Sequence, residues 1–243
     1  MKYTQHTVLV TGGATGIGFA LAEKFHCAGN RVVLVGRTEA ALAKAIDALP
    51  GAELLVGDIS SAPDRLRLVQ RYPNVSVLIN NAAIRIETPF AEISDAELQH
   101  ELDVNFLAPL FLTRAYLPLM KRHPAAAIVN VTSGLALWPR EVAAMYGASK
   151  AALHSFSKSL RWQLEGTSVR VFEVLPPMVE TSMTAGRGRR EGKITAAQLA
   201  DEFWRDFQSD HYEMLIGQTK ILHWLRRLSP ALTDRIMRVQ PQR

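Results

Sequence analysis

The chain has 243 residues, 48% of them hydrophobic and 21% charged, with 28 Lys and Arg against 23 Asp and Glu. This composition excludes a disordered chain, and the length suits one large α/β domain spanning 1–243 with a substantial core. The single cysteine, Cys27, excludes an intramolecular disulfide and a Cys-based zinc site, which fits a reducing compartment.

In chain order, short β-branched runs alternate with longer helical patterns. Strands are expected at Thr7–Val10, Arg31–Val35, Glu53–Val56, Val77–Ile79, Ala127–Val131 and Val169–Val174, with a last one near Met214–Ile216. Helices are expected at Gly16–Ala28, Glu39–Leu49, Pro63–Arg71, Asp95–Lys121 and Ala144–Glu165. Several strands are apolar at nearly every position, as in a parallel sheet covered on both faces. Repeated β-α-β units with right-handed crossovers give a doubly wound sheet that binds ligands beyond its carboxyl edge. The Gly- and Arg-rich stretch at 185–193 reads as a mobile loop, part of a substrate-side segment of loop and helices at 183–212.

The start of the chain leads straight into an apolar run with no signal-peptide pattern, and no stretch is apolar enough to span a membrane. A cytoplasmic protein is expected. The net charge of +5 resides between Met214 and Arg243, where six basic residues face one acid, Asp234. A basic excess confined to one tail argues against nucleic-acid binding. The seven histidines show no metal-ligand spacing, so no metal is expected.

The first strand runs into Thr11-Gly12-Gly13-Ala14-Thr15-Gly16-Ile17-Gly18 and then a helix. Glycines at such a turn let the backbone approach a pyrophosphate at the helix start; taken alone, the run also fits any tight turn. The second strand ends Val35-Gly36-Arg37-Thr38, with no acid where an NAD site usually has one. A carboxylate there would repel a 2′-phosphate, whereas a guanidinium can bind it through two hydrogen bonds. The cofactor expected is therefore NADP(H) rather than NAD, with Arg37 discriminating.

Tyr146 and Lys150 lie four apart in a helical pattern and so emerge from one face. Ser133 stands thirteen residues earlier, just past a strand, and Asn105 lies in the long preceding helix. Thr11–Gly18, Asn80-Asn81-Ala82, Asn105, Ser133 and Tyr146-x-x-x-Lys150, in this order and at these separations, resemble the single-domain short-chain dehydrogenase/reductase family. The resemblance covers about residues 5–185. Ser133-Gly134-Leu135-Ala136, Pro176-Pro177-Met178-Val179 and the C-terminal segment are similar to its DltE-like branch.

The resemblance implies a Rossmann-type sheet of about seven strands in the order 3-2-1-4-5-6-7. It also implies hydride transfer between nicotinamide and a carbonyl or alcohol, in a homodimer or homotetramer. It assigns catalysis to Asn105, Ser133, Tyr146 and Lys150. Cofactor contacts fall to Gly12, Thr15, Gly16, Ile17, Gly18, Asp58, Ile59, Asn81, Ala82, Val179 and Thr181, together with Arg37, Tyr146 and Lys150. Lys150 is expected to lower the Tyr146 pKa, Ser133 to hold the substrate oxygen, and Asn105 to support a proton relay. Two family glycines are replaced, by Ala83 and Pro177, which matters at position 83 if that backbone needs positive φ and at 177 for lost contacts.

Arg85, Ile86, Leu135, Leu137, Trp138, Met178 and Met183 are expected to line the substrate side, and their mostly apolar character suits an apolar ketone or aldehyde. The tail at 218–243 is basic and amphipathic, with Pro230 interrupting it. It reads as a helix covering the domain or a subunit contact, in preference to peripheral membrane docking. Two function classes result. The leading one is an NADP(H)-dependent carbonyl reductase or alcohol dehydrogenase; the alternative is a cofactor-binding regulatory or scaffold protein with weak catalysis.

Overall fold

Period-two alternation of aliphatic residues on extended segments feeds two apolar layers at once, and this builds the sheet. The computed structural model describes residues 4–185 and 193–238, apart from the side chains of Arg226 and Arg238. The elements run β1 (Thr7–Thr11), α1 (Gly16–Cys27), β2 (Arg31–Gly36), α2 (Glu39–Ala48), β3 (Glu53–Val56), α3 (Ala62–Arg71) and β4 (Val77–Asn80). Next come α4 (Asp95–Leu102), a π turn (Asp103–Leu107), α5 (Ala108–Met120), β5 (Ala126–Val131), two 3-10 turns (Gly134–Ala136 and Glu141–Ala143) and α6 (Ala144–Gln163). The chain continues with β6 (Val169–Leu175), β7 (Val179–Glu180), β8 (Ile194–Thr195), α7 (Ala196–Gln208), β9 (Glu213–Leu215), α8 (Gln218–Leu228) and α9 (Pro230–Arg238).

Seven strands pair in parallel in the order β3-β2-β1-β4-β5-β6-β9. The expected seventh strand is thus present as β9. It carries a higher number because β7 and β8 pair with each other in a separate two-stranded ribbon. On one face Val8, Val10, Leu34, Ile79, Val129 and Phe172 pack under α1, α2 and α7 through Leu21, Phe25, Leu42 and Phe207. On the other, Leu9, Val33, Leu78, Ile128 and Val171 pack under α3, α5 and α6 through Leu68, Leu112, Tyr116 and Leu160. Each such burial contributes about 1.5–3 kcal/mol relative to exposure. The sheet is the doubly wound Rossmann-type fold expected, with helices on both faces.

Two boundaries differ from the sequence reading in ways that bear on the site. The expected helix Asp95–Lys121 is divided by the π turn at Asp103–Leu107. Its physical trigger is Pro109, which has no amide hydrogen to continue the regular i to i−4 ladder. Second, Pro230 occupies the first position of a separate helix, α9, where its missing N–H costs nothing. The segment 183–212 holds β8 and α7 in its described part, and 186–192 of the Gly- and Arg-rich stretch, where the loop is expected, lie outside the described residues. Among the described residues, no helix is long and apolar enough to cross a membrane, and no cluster of three or more His, Cys, Asp or Glu could hold a metal ion.

The order places a reversal between β1, which leads out to β2 and β3, and β4, which leads the other way. Chain segments leaving the carboxyl ends of these strands diverge there and open a crevice.

Candidate active site

A cleft of about 870 Å³ runs along the carboxyl edge of the sheet. Its floor begins at the glycine turn. Gly12 and Gly16 have φ of +62° and +57°, which side-chain-bearing residues rarely adopt. A Cβ on Gly18 would collide with the Gly12 carbonyl and the Asn81 amide, so Gly18 acts by letting α1 approach rather than by lining the cleft. Thr11 ties this turn to the segment after β4: its hydroxyl accepts from the amides of Asn81 (3.0 Å) and Ala82 (3.1 Å). Asn81 returns two bonds, to the carbonyls of Thr11 (3.0 Å) and Gly12 (3.2 Å). Thr181 closes the turn from above, its methyl facing Gly16.

Arg37, Asp58 and Ile59 line one end of the cleft. Asp58 accepts from the Ser60 amide (2.8 Å) and hydroxyl (2.7 Å). Burial pushes its carboxyl up, but these bonds and the Arg37 charge outweigh burial and hold it below the usual carboxylate range.

Ser133, Tyr146 and Lys150 line the cleft together. Lys150 is buried, and its Nζ donates to the Val131 carbonyl oxygen at 2.9 Å while lying 5.8 Å from the centre of the Tyr146 ring. Ser133 caps a 3-10 turn by accepting from the Leu135 amide (3.1 Å), and its hydroxyl lies on the side of the cleft where Tyr146 stands. Burial pushes the Tyr146 phenol up to about 12, opposed by the Arg85 charge and the Ser133 hydrogen bond. Burial pulls the Lys150 ammonium down to about 8, opposed by the carboxylates of Glu101 and Glu173. The expected lowering of this phenol rests on Lys150 together with the charge of an oxidised nicotinamide; among the protein's own groups, burial outweighs the opposing charges.

Asn105 does not line the cleft but stands behind it. Its side chain accepts from the Ile84 amide (2.9 Å) and donates to the Ile84 carbonyl (2.8 Å) and the Ser149 hydroxyl (3.2 Å). The residue four on is Pro109, so the Asn105 carbonyl lacks its regular α-helical donor.

Two buried carboxylates near Lys150 went unnoticed in the sequence. Glu101 accepts from the Ile86 amide at 3.4 Å, and burial raises its carboxyl. Glu173 accepts from the Thr132 hydroxyl (2.6 Å) and pairs with His154 Nδ1 (2.9 and 3.0 Å). The i, i+4 spacing brings Glu101 onto the side of Asn105 and His154 onto the side of Lys150, but neither spacing shows that the carboxylates are enclosed or locates Glu173.

Of the expected cofactor residues, Gly12, Thr15, Gly16, Ile17, Arg37, Asp58, Ile59, Asn81, Ala82, Val179 and Thr181 all line the cleft. Ala83 is not at positive φ, so its methyl brings no backbone strain. Pro177 lines the cleft and packs near Gly217. On the substrate side Arg85, Leu135, Trp138, Met178 and Met183 line it as expected; Ile86 and Leu137 do not. The helix α8 covers this end, with Thr219 and Leu222 facing in and His223 edge-on to Trp138 at 6.4 Å. Its outer face leaves Ile221 and Leu228 68% and 82% exposed.

These residues fit a dinucleotide: a glycine cradle that a Cβ would fill, a guanidinium at one end, and a phenol with an amine at the other. Such a fold and cleft define a nicotinamide-dependent oxidoreductase. A family model described as short chain dehydrogenase matches residues 6–192, and the chain belongs to that family. It is 41% identical over 213 residues to the uncharacterized oxidoreductase DltE of Bacillus subtilis (strain 168), covering 85% of this chain and 84% of that protein. A short chain dehydrogenase from Burkholderia cenocepacia J2315 in complex with NADP superposes with a TM-score of 0.88 at 26% identity, covering 99% of this chain and 100% of that one. One from Burkholderia phymatum in complex with NAD gives a TM-score of 0.85 at 23% identity, covering 100% and 99%, a likeness of fold.

Proposed function

We propose that this oxidoreductase uses NADP(H) to interconvert a carbonyl and an alcohol, with Tyr146 as general acid and base. The observation that carries the reading is the grouping of half-buried Tyr146 and Ser133 with buried Lys150 in a cleft whose far end presents Arg37 and no acid at the close of β2. When bound, the nicotinamide supplies or accepts the hydride.

In reduction the protonated Tyr146 phenol gives its proton to the substrate oxygen, a transfer worth about 10²–10⁴-fold in rate. Ser133 donates to the same oxygen as charge develops on it. In oxidation Tyr146 takes the alcohol proton, and the positive charge of Arg85 opposes the cost of forming the phenolate. Lys150 holds the nicotinamide ribose. Asn105 keeps the segment at Ile84 in place and offers its carbonyl to a water that passes protons towards Lys150. Arg37 receives the 2′-phosphate as a bidentate partner, and the Gly12–Gly18 turn receives the pyrophosphate.

The chain works as a cytoplasmic homodimer or homotetramer in this reading, which light scattering checks. The activity is tested by following reduced-nicotinamide absorbance with a panel of ketones, aldehydes and secondary alcohols, each with NADPH and NADH. Turnover favouring NADPH supports the reading. An NADH preference would show that Arg37 has been misassigned, and cofactor binding without any turnover would favour the regulatory alternative.

A further inference from the structure

The helices α8 and α9 each turn one face inward and one outward. Thr219 and Leu222 on α8 and Met237 on α9 line the cleft, and Thr233 is buried. The outward face of α8 carries Ile221, Trp224 and Leu228, three and seven residues along from the first and so on one stripe. That of α9 carries Leu232 and Ile236, four apart. Trp224 is 63% exposed, and Leu232 and Ile236 are 45% and 44% exposed. The two helices pack against each other, so both stripes belong to one hairpin. Five of the eleven exposed large hydrophobic side chains among the described residues lie on it. Apolar side chains scattered over a surface need no partner, whereas a concentration of this kind marks an interaction surface.

Charge identifies the occupant. Arg227 and Arg235 are exposed beside the stripes, each one position before Leu228 or Ile236. Lys220 precedes Ile221 in the same way and is tied to Glu202 at 2.9 Å, with 52% of its side chain exposed. From Met214 to Arg243 the sequence has six basic residues and one acid, Asp234. A second copy docked here in a two-fold contact would set these cations against their own counterparts, which is repulsive. An anionic lipid surface complements both features at once. Basic side chains meet the headgroups, aliphatic ones reach the acyl boundary, and an indole settles at the level between them.

We propose that the outward face of the α8–α9 hairpin docks on an anionic membrane surface, with Ile221, Trp224 and Leu228 inserted and Arg227 and Arg235 at the headgroups. Peripheral docking is the second choice for this tail in the sequence, which does not show which side of α8 turns outward. The exposed stripe makes it the first choice for that side, while the inward side covers the domain as expected. Docking in this orientation sets the substrate end of the cleft, which Ile236 and Met237 help to line, beside the lipid.

The test sediments the full-length, NADP-loaded protein with sucrose-filled vesicles of phosphatidylcholine alone or mixed equally with phosphatidylglycerol. Binding to the mixed vesicles should be at least about tenfold tighter and should weaken as salt is raised. Ile221→Ser with Trp224→Ser should weaken it about tenfold to a hundredfold. Arg227→Gln with Arg235→Gln should weaken it about tenfold to thirtyfold, with no change on phosphatidylcholine. Retained NADPH affinity and Tm show that each variant is folded. Brominated lipid in the mixed vesicles should quench tryptophan emission, and Trp224→Phe should lose most of that quenching. Trp162→Phe, at an exposed indole on α6, should not. Equal sedimentation with both kinds of vesicle overturns the proposal, as does binding that survives both paired variants. If Ile221→Ser with Trp224→Ser instead lowers the mass in light scattering and leaves vesicle binding intact, the face is a subunit contact and the proposal fails.

Discussion

Lys150 donates to the Val131 carbonyl oxygen across 2.9 Å, and this bond fastens α6 to the end of β5 where Ser133 leaves the strand. A buried ammonium is thereby fixed by backbone, with Glu101 and Glu173 supplying the charges that keep it protonated against burial.

The first prediction concerns that balance. Burial places the Lys150 ammonium at about 8. The kcat/KM for NADPH, which reports groups of the free enzyme, should decline as pH rises through that value. Glu101→Gln removes a charge that holds the ammonium up, so the decline should begin at lower pH. A pH profile of both proteins checks this; an unmoved limb would detach Glu101 from Lys150.

His154 and Glu173 give the fold its own pH dependence. The hydrogen bond to Glu173 is the largest cause raising the His154 pKa above 6.5. A group raised on folding contributes stability that is complete below its unfolded pKa and is lost as pH rises through the folded one. Thermal unfolding should therefore show Tm falling as pH rises above about 6.5, and His154→Asn should flatten that slope.

Much of this architecture was legible because its causes are local. Unbroken aliphatic runs marked β1 and β2, and the helical pattern between them marked α1, to within one residue at each end. Tyr146, Lys150 and Ser133 were legible because a helical turn and a strand end place side chains predictably. The π turn was not, since its cause is a proline acting on a residue four positions back, which apolar periodicity does not register. The cover that α8 gives the cleft was also hidden, because Thr219 and Leu222 come to it from far along the chain. Glu101 and Glu173 were missed for a related reason: a carboxylate reads as surface until a sheet or helix encloses it.

Arg37 should decide cofactor choice. Arg37→Ala removes charge-assisted hydrogen bonds worth about 1.5–3 kcal/mol, so kcat/KM for NADPH should fall roughly tenfold to a hundredfold, with a far smaller change for NADH. Steady-state kinetics with both cofactors measures the ratio; equal losses would show Arg37 acting through the fold.

The glycine turn can be probed without touching the catalytic groups. In Gly18→Ala the new methyl meets the Gly12 carbonyl and the Asn81 amide, which must shift. The expected cost is about 1–3 kcal/mol of stability, together with weaker NADPH binding because the cradle loses its shape. Denaturant unfolding and a cofactor titration check the two effects, and an unchanged affinity would separate the turn from the cofactor.

The central claim, that the Tyr146 phenol moves the proton, is met most directly by single-turnover kinetics of Tyr146→Phe with NADPH bound. Removing one hydroxyl should lower the rate of carbonyl reduction by about 10²–10⁴-fold while the Kd for NADPH stays measurable. A rate near that of the wild type would contradict the account.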